Sequence, residues 1–258
     1  MFKNRAVTLF LILGGFFIAN ALVAEFIGVK IFSLERTLGF EPFKIRLFGN
    51  QDLGLNLTAG VLLWPVVFVM TDIINEYYGR KGVRFLSYLA VALILYAFVI
   101  IFAAIHLSPN AWWDGISGVT DDPKTSLTSM DLAFSKVFGQ GLWIIIGSLI
   151  AFLVGQILDV MVFHRIRVWT GDSKLWLRAT GSTLVSQFVD SFVVLFVAFY
   201  IGADWSADRV AAIGLMNYSY KFLIAILLTP VLYLAHHWID RYLGVKLSQE
   251  LKDKASNR

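Results

Sequence analysis

Four carboxylates stand where hydrocarbon-soluble residues would be expected. Asp72 and Glu76 lie one turn apart in "TDIINEYYGRKG" (71–82), Asp159 sits in "GQILDVMVFHRIR" (155–167), and Asp190 in "STLVSQFVDSF" (182–192). An ionisable side chain near the middle of a membrane-spanning helix costs about 2.5–3.5 kcal/mol on insertion scales, so it faces a cavity or a partner. Asp72, Asn75 and Glu76 share one helical face through their i, i+3, i+4 spacing. Asp72 is roughly 12 Å along the axis from Arg80 and reads as a cavity-lining acid, whereas Glu76 is placed to pair with Arg80 at the water boundary.

Ser148, Gln156 and Asp159 fall within an arc of about 80° on their helix; for Asp159, a pairing with Arg165 or a neighbouring helix and a contact with a bound solute are equally open. Thr183, Ser186, Gln187 and Asp190 form a polar stripe about 100° wide on a helix otherwise made of Phe, Val and Leu. Asp190 is roughly 18 Å from Arg178 and so near the midplane. On the last apolar run, Asn217 and Lys221 share a face. Lys221, read as the only lysine or arginine buried in a predicted span, needs an anion at mid-depth, and Asp190 is its expected partner. Glu25 is expected at the opposite boundary. His236 and His237 point to different faces, and His106 and His164 sit at opposite membrane ends, so no metal site, and no cofactor, is expected.

These groups need spanning helices to hold them. The chain has 258 residues, 58% of them apolar and 15% aromatic, against about 45–50% apolar in soluble domains. Its mean hydropathy is +0.71. Apolar runs long enough to cross about 30 Å of hydrocarbon cover residues 6–29, 57–78, 83–107, 138–163, 179–201 and 209–238. The expected fold class is therefore all-α: a polytopic membrane protein, a single domain of six transmembrane helices over residues 1–258. The first run is read as a retained helix, since no small-residue cleavage site follows it. Fourteen Lys and Arg fall on the side of both termini and seven on the other, which predicts cytoplasmic termini.

The net charge of +4 is spread between apolar runs, which argues against nucleic-acid binding, and the absence of cysteine excludes thiol chemistry and disulfides. No Ser, His and Asp set forms a hydrolase motif, so no enzyme is expected. Two connections on the far side are long. Residues 30–56 contain "FKIRLF", predicted to form a hairpin, and residues 108–137 carry Trp112, Trp113 and the turn signal "DDPK". Pro230 is expected to kink or tilt the last helix.

A carboxylate accepts two parallel hydrogen bonds from a planar donor pair, and a guanine-like base offers that fork through its ring NH and exocyclic amine. Amides read ring carbonyls and nitrogens, and aromatic side chains stack on flat heterocycles. A small, flat, hydrogen-bonding solute therefore suits this interior better than a lipid or an inorganic ion.

The stretches "VFVMTDIINEYYGRKG", "GQILDVMVFHRIR", "STLVSQFVDSFVVLFVAF" and "NYSYKFLIAILLTPVLY" together resemble the bacterial queuosine precursor transporters, formerly described as a vitamin-uptake-like family. The resemblance implies a six-helix inner-membrane carrier that imports 7-cyano-7-deazaguanine and 7-aminomethyl-7-deazaguanine, precursors of the tRNA nucleoside queuosine. The connection 30–56 departs from it in length and charge. Asp190 or Asp72 would then grip the guanidine-like edge, Gln156 and Gln187 would read amide positions, Asp159 and Lys221 would balance charge, and Asn75 and Asn217 would complete the substrate set. Expected partners are that small molecule and the lipid bilayer, with a homo-oligomer left open. The alternative is the substrate-capturing subunit of a multi-component, ATP-driven importer.

Overall fold

A computed structural model describes residues 4–115, 129–139, 141–170 and 174–256 of the protein. Asn4 opens the first helix: its side-chain oxygen accepts from the N–H groups of Ala6 and Val7, releasing α1 (Arg5–Ile27). A short extended segment, β1 (Ile31–Ser33), and one helical turn, α2 (Leu34–Thr37), follow. Next come β2 (Ile45–Leu47), β3 (Asn50–Leu53), β4 (Asn56–Thr58) and a 3₁₀ turn, Ala59–Leu62. Strand β1 pairs antiparallel with β4, and β2 with β3. The hairpin expected at "FKIRLF" is formed, turning at Phe48 and Gly49, both at positive φ, as a tight hairpin turn requires. These short strands are additions to a mostly helical chain, in keeping with the all-α expectation, and the predicted run from Leu57 begins as strand, with α-helix only from Trp64.

The cap is knotted by Glu35, which is buried. Its carboxylate accepts from the Leu55 N–H at 2.6 Å and the Ser33 hydroxyl at 2.8 Å. Burial pushes its pKa up, but the backbone donors of Leu55, Glu35 and Phe43 and the Ser33 hydroxyl outweigh that and hold it below the usual carboxylate range. The stability this adds is complete above the ordinary value of 4.5 and is lost as pH falls through the lowered one. Amide exchange across 30–58 should therefore rise below about pH 4, and Glu35→Gln should exchange fast at every pH.

Helix α3 (Trp64–Ile105) is 42 residues long, roughly 63 Å if straight, twice the hydrocarbon thickness. It is not straight. Gly79 breaks it at φ 67°, ψ −172°, a region open essentially to glycine alone. Thr71 and Ser87 would lie about 24 Å apart on one straight helix, yet both hydroxyls donate to the same Gln156 oxygen, at 3.0 and 3.4 Å. The two halves, 64–78 and 80–105, therefore form a helical hairpin. A Cβ on Gly79 would also meet the Ala255 backbone at 3.1–3.2 Å. Gly79→Ala should lower unfolding free energy by about 1–3 kcal/mol in detergent melts, while Gly15→Ala, where a Cβ meets nothing, should not.

After the short helices α4 (Ala111–Asp114) and α5 (Met130–Phe138) come α6 (Leu142–Thr170), α7 (Leu175–Leu195) with a π-helical end at Phe196–Ile201, α8 (Ala207–Leu243) and α9 (Val245–Ser256). The "DDPK" turn lies outside the described residues. Gly147, Ala151 and Gly155, at i, i+4, i+8, let α6 approach closely: a Cβ on Gly147 would come within 3.2 Å of the α7 backbone at Val194 and Ala198. Pro230 lies inside α8, which runs past the predicted end at residue 238 and is followed by α9. Tyr78 bonds the Ala6 carbonyl, Arg5 the Tyr242 carbonyl and Lys252 the Asp240 carboxylate. One end of the bundle thus gathers the start of α1, the Gly79 turn, the end of α8 and α9.

Among the described residues, five helices are long and apolar enough to cross a membrane, α3 counting once. Their outer surfaces expose Leu11, Ile12, Val99, Phe102, Leu227 and Val231, while Asp72, Gln156, Asp159, Gln187 and Lys221 are buried. Apolar residues outside and polar residues within is the arrangement lipid imposes.

Candidate functional site

The first half of α3, with α7 and α8, borders a cavity of about 380 Å³, counting the space open to solvent. Asp72, Thr183, Gln187 and Lys221 supply its polar wall, with Thr180 and Thr229; Pro65, Val69, Leu228 and Leu232 are among its apolar residues. The Asp72 carboxylate is 2% exposed. It accepts from Ser182 at 3.3 Å on one oxygen and from Thr183 at 3.1 Å on the other. Among the described residues no cation pairs with it, so each oxygen keeps accepting capacity for a donor entering the cavity.

Gln187 is buried beside it, and neither its amide nitrogen nor its oxygen has a partner among the described residues. A buried amide with both ends unmet is costly, and a bound solute with one acceptor and one donor would satisfy it. Lys221 donates to Asp190 at 2.5 Å, with the two side chains 8% and 16% exposed. The ion pair expected from sequence is thus formed, with Lys221 on the cavity wall and Asp190 behind it. Asn217, one turn from Lys221, has a buried oxygen without a partner among the described residues. Asp159 lies behind the Asp72 wall, where Ser186 donates to one oxygen at 3.1 Å and the other has no partner among the described residues.

The remaining residues go elsewhere. Asn75 accepts from His164 at 3.0 Å, and Gln156 ties the two halves of α3 together and lines a different cavity. Glu76 pairs not with Arg80 but with Arg178 at 2.7 Å and Arg167 at 3.6 Å. Both arginines are buried, on stretches of α6 and α7 that run past the predicted spans, so Lys221 is joined by two further buried cations. Arg165 is exposed, and the hydroxyl of Ser186 takes its expected place beside Asp159. Glu25 is buried and accepts from Ser148 instead of facing the boundary.

Sequence reasoning missed Thr180 and Thr229, whose hydroxyls meet at 3.0 Å, because single threonines on long helices carry no pattern. It also expected aromatic walls for stacking. None of the cavity-lining residues is aromatic; the aromatic side chains pair with one another instead, as Phe17 and Trp64 do with Phe152.

The family described as "Putative vitamin uptake transporter" matches residues 58–235, a range that contains every cavity-lining residue. A protein of Bacillus subtilis (strain 168), "Probable queuosine precursor transporter", is 32% identical over 187 residues, 72% of this chain and 74% of its own. A protein of Haemophilus influenzae with the same name is 30% identical, covering 72% and 73%. The "Queuosine precursor transporter" of Escherichia coli (strain K12) is 28% identical over 67% and 70%. No solved structure matches the chain.

Proposed function

The chain belongs to this vitamin uptake transporter family and is a multi-pass membrane protein, and on that premise we propose that it imports 7-deazaguanine bases, the precursors of queuosine. The observation that carries the reading is the Asp72 carboxylate, held by hydroxyls alone on the wall of a cavity shared with the unmatched Gln187 amide and the Lys221 ammonium. Asp72 takes the ring NH and exocyclic amine of the base as a fork. Gln187 reads the ring carbonyl, and the Lys221–Asp190 pair opens or tightens as the cavity fills. An acidic interior also favours a cationic aminomethyl substituent.

The α3 hairpin makes two crossings, so the chain crosses the inner membrane six times as one domain. The basic bias puts both termini in the cytoplasm, and the end that gathers the start of α1, the Gly79 turn and α9 faces that side. The protein works as a carrier and not as an enzyme.

The purified chain, reconstituted alone in liposomes, should take up labelled 7-cyano-7-deazaguanine without ATP, with excess guanine competing weakly. Binding without uptake would instead favour the capturing subunit of an ATP-driven importer, and a chemically altered product would favour an enzyme.

A further inference from the structure

A second cavity, about 570 Å³, opens on the flank of the bundle where the 80–105 half of α3 lies beside α6. Arg80 and Arg84 stand at one end of it, four residues apart and so on one helical face. Both are exposed, and among the described residues neither has a carboxylate partner. Glu76, the acid nearest in sequence, is taken by Arg178 and Arg167.

Deeper in the groove, Ser87 and Gln156 meet. The Gln156 oxygen already accepts from Thr71 and Ser87, whereas its amide nitrogen is unmatched on a residue only 2% exposed. Val83, Leu153 and Val160 continue the groove as an apolar floor, and Ile157 and Met161 stand on its outward side, each more than half exposed. Paired cations at the mouth, a buried amide donor about two turns in, apolar side chains along those turns and Tyr88 and Leu153 past them offer a partner to each part of a phospholipid.

We propose that this groove holds one anionic glycerophospholipid. Its phosphate lies between Arg80 and Arg84, an ester carbonyl accepts from the Gln156 amide, and one acyl chain runs from Ile157 past Tyr88 and Leu153. The charge at the mouth selects an anionic headgroup over a zwitterionic one. The apolar trough selects a lipid over a free phosphate. Because Gln156 also anchors Thr71, next to Asp72, the bound lipid braces the outer side of the cavity wall.

The test uses the full chain in detergent, with native mass spectrometry and thermal unfolding read against dioleoyl-phosphatidylglycerol and dioleoyl-phosphatidylcholine. Phosphatidylglycerol should bind as a single adduct, roughly tenfold or more tighter than phosphatidylcholine, and raise the melting temperature where the other does not. Arg80→Gln with Arg84→Gln should erase the preference. Ile157→Trp, which fills the trough and keeps both arginines, should erase it independently, so the result does not rest on one variant folding. Lys81→Gln, outside the groove, should leave it intact. Equal stabilisation by the two lipids, a preference that survives both groove variants, or competition by glycerol 3-phosphate alone would overturn the proposal.

Discussion

Asp72→Asn is expected to weaken binding of 7-cyano-7-deazaguanine by roughly 10- to 150-fold, the loss of about 1.5–3 kcal/mol that a hydrogen bond to a charged group contributes, and to abolish measurable uptake. The carboxylate offers acceptors only, matching a planar pair of donors. Asparagine turns one acceptor into an NH₂ that points donor against donor at the same edge. The fold should tolerate the change, because Asn keeps one acceptor and the Ser182 hydroxyl already has a second acceptor in the Ala179 carbonyl at 3.0 Å. Calorimetric titration on the folded variant checks this, with Asp159→Asn as a comparison that should lose less, since Asp159 stands behind the wall. Unchanged affinity in Asp72→Asn would remove Asp72 from the substrate's path.

Arg178→Ala should cost about 3–5 kcal/mol of stability, the usual penalty for removing one partner of a buried ion pair. Arg178 and Glu76 are 2% and 3% exposed and 2.7 Å apart. Arg167, at 3.6 Å, is too distant to replace the lost hydrogen bonds. The Arg178 side chain also lies against the Phe163 ring, 5.6 Å from its centroid, so the truncation opens a hole as well as stranding a charge. The expected signature is a large fall in the detergent melting temperature, partly recovered in Arg178→Met with Glu76→Gln, which removes the stranded carboxylate, keeps the stem volume and leaves Arg167 its bond to the Lys252 carbonyl. If the double variant were as unstable as the single one, packing and not charge would be the source of the loss.

The two predictions concern acids that sit one turn apart in the chain. Asp72 and Glu76 share a helical face, one turn apart. In the folded bundle one meets only hydroxyls beside a cavity and the other meets two guanidiniums, because α7 presents Ser182 and Thr183 at one level and Arg178 one turn earlier. Depth on α3 points Asp72 to a cavity and Glu76 to an ion pair, but not to Arg178 and Arg167 as its partners. Gln156 and Gln187 diverge for the same reason: each lies on a polar face of its own helix, but Gln187 faces inward among α3 and α8, whereas Gln156 is held at the seam between the two halves of α3.

By itself the sequence determined the medium and the scaffold: runs of about 20 apolar residues have one stable solution in hydrocarbon, a helix with every backbone group satisfied internally, and the acids within them had to turn inward. It determined the Lys221–Asp190 pair too, since the only cation expected at mid-depth had one acid at matching depth. What only the tertiary structure decided is which acid borders open space, how far the helices run past their apolar cores to carry Arg167 and Arg178 inside, and that one long helix doubles back at Gly79. Those outcomes depend on what a neighbouring helix presents across the interface, and no periodicity within a single segment encodes its neighbour's register.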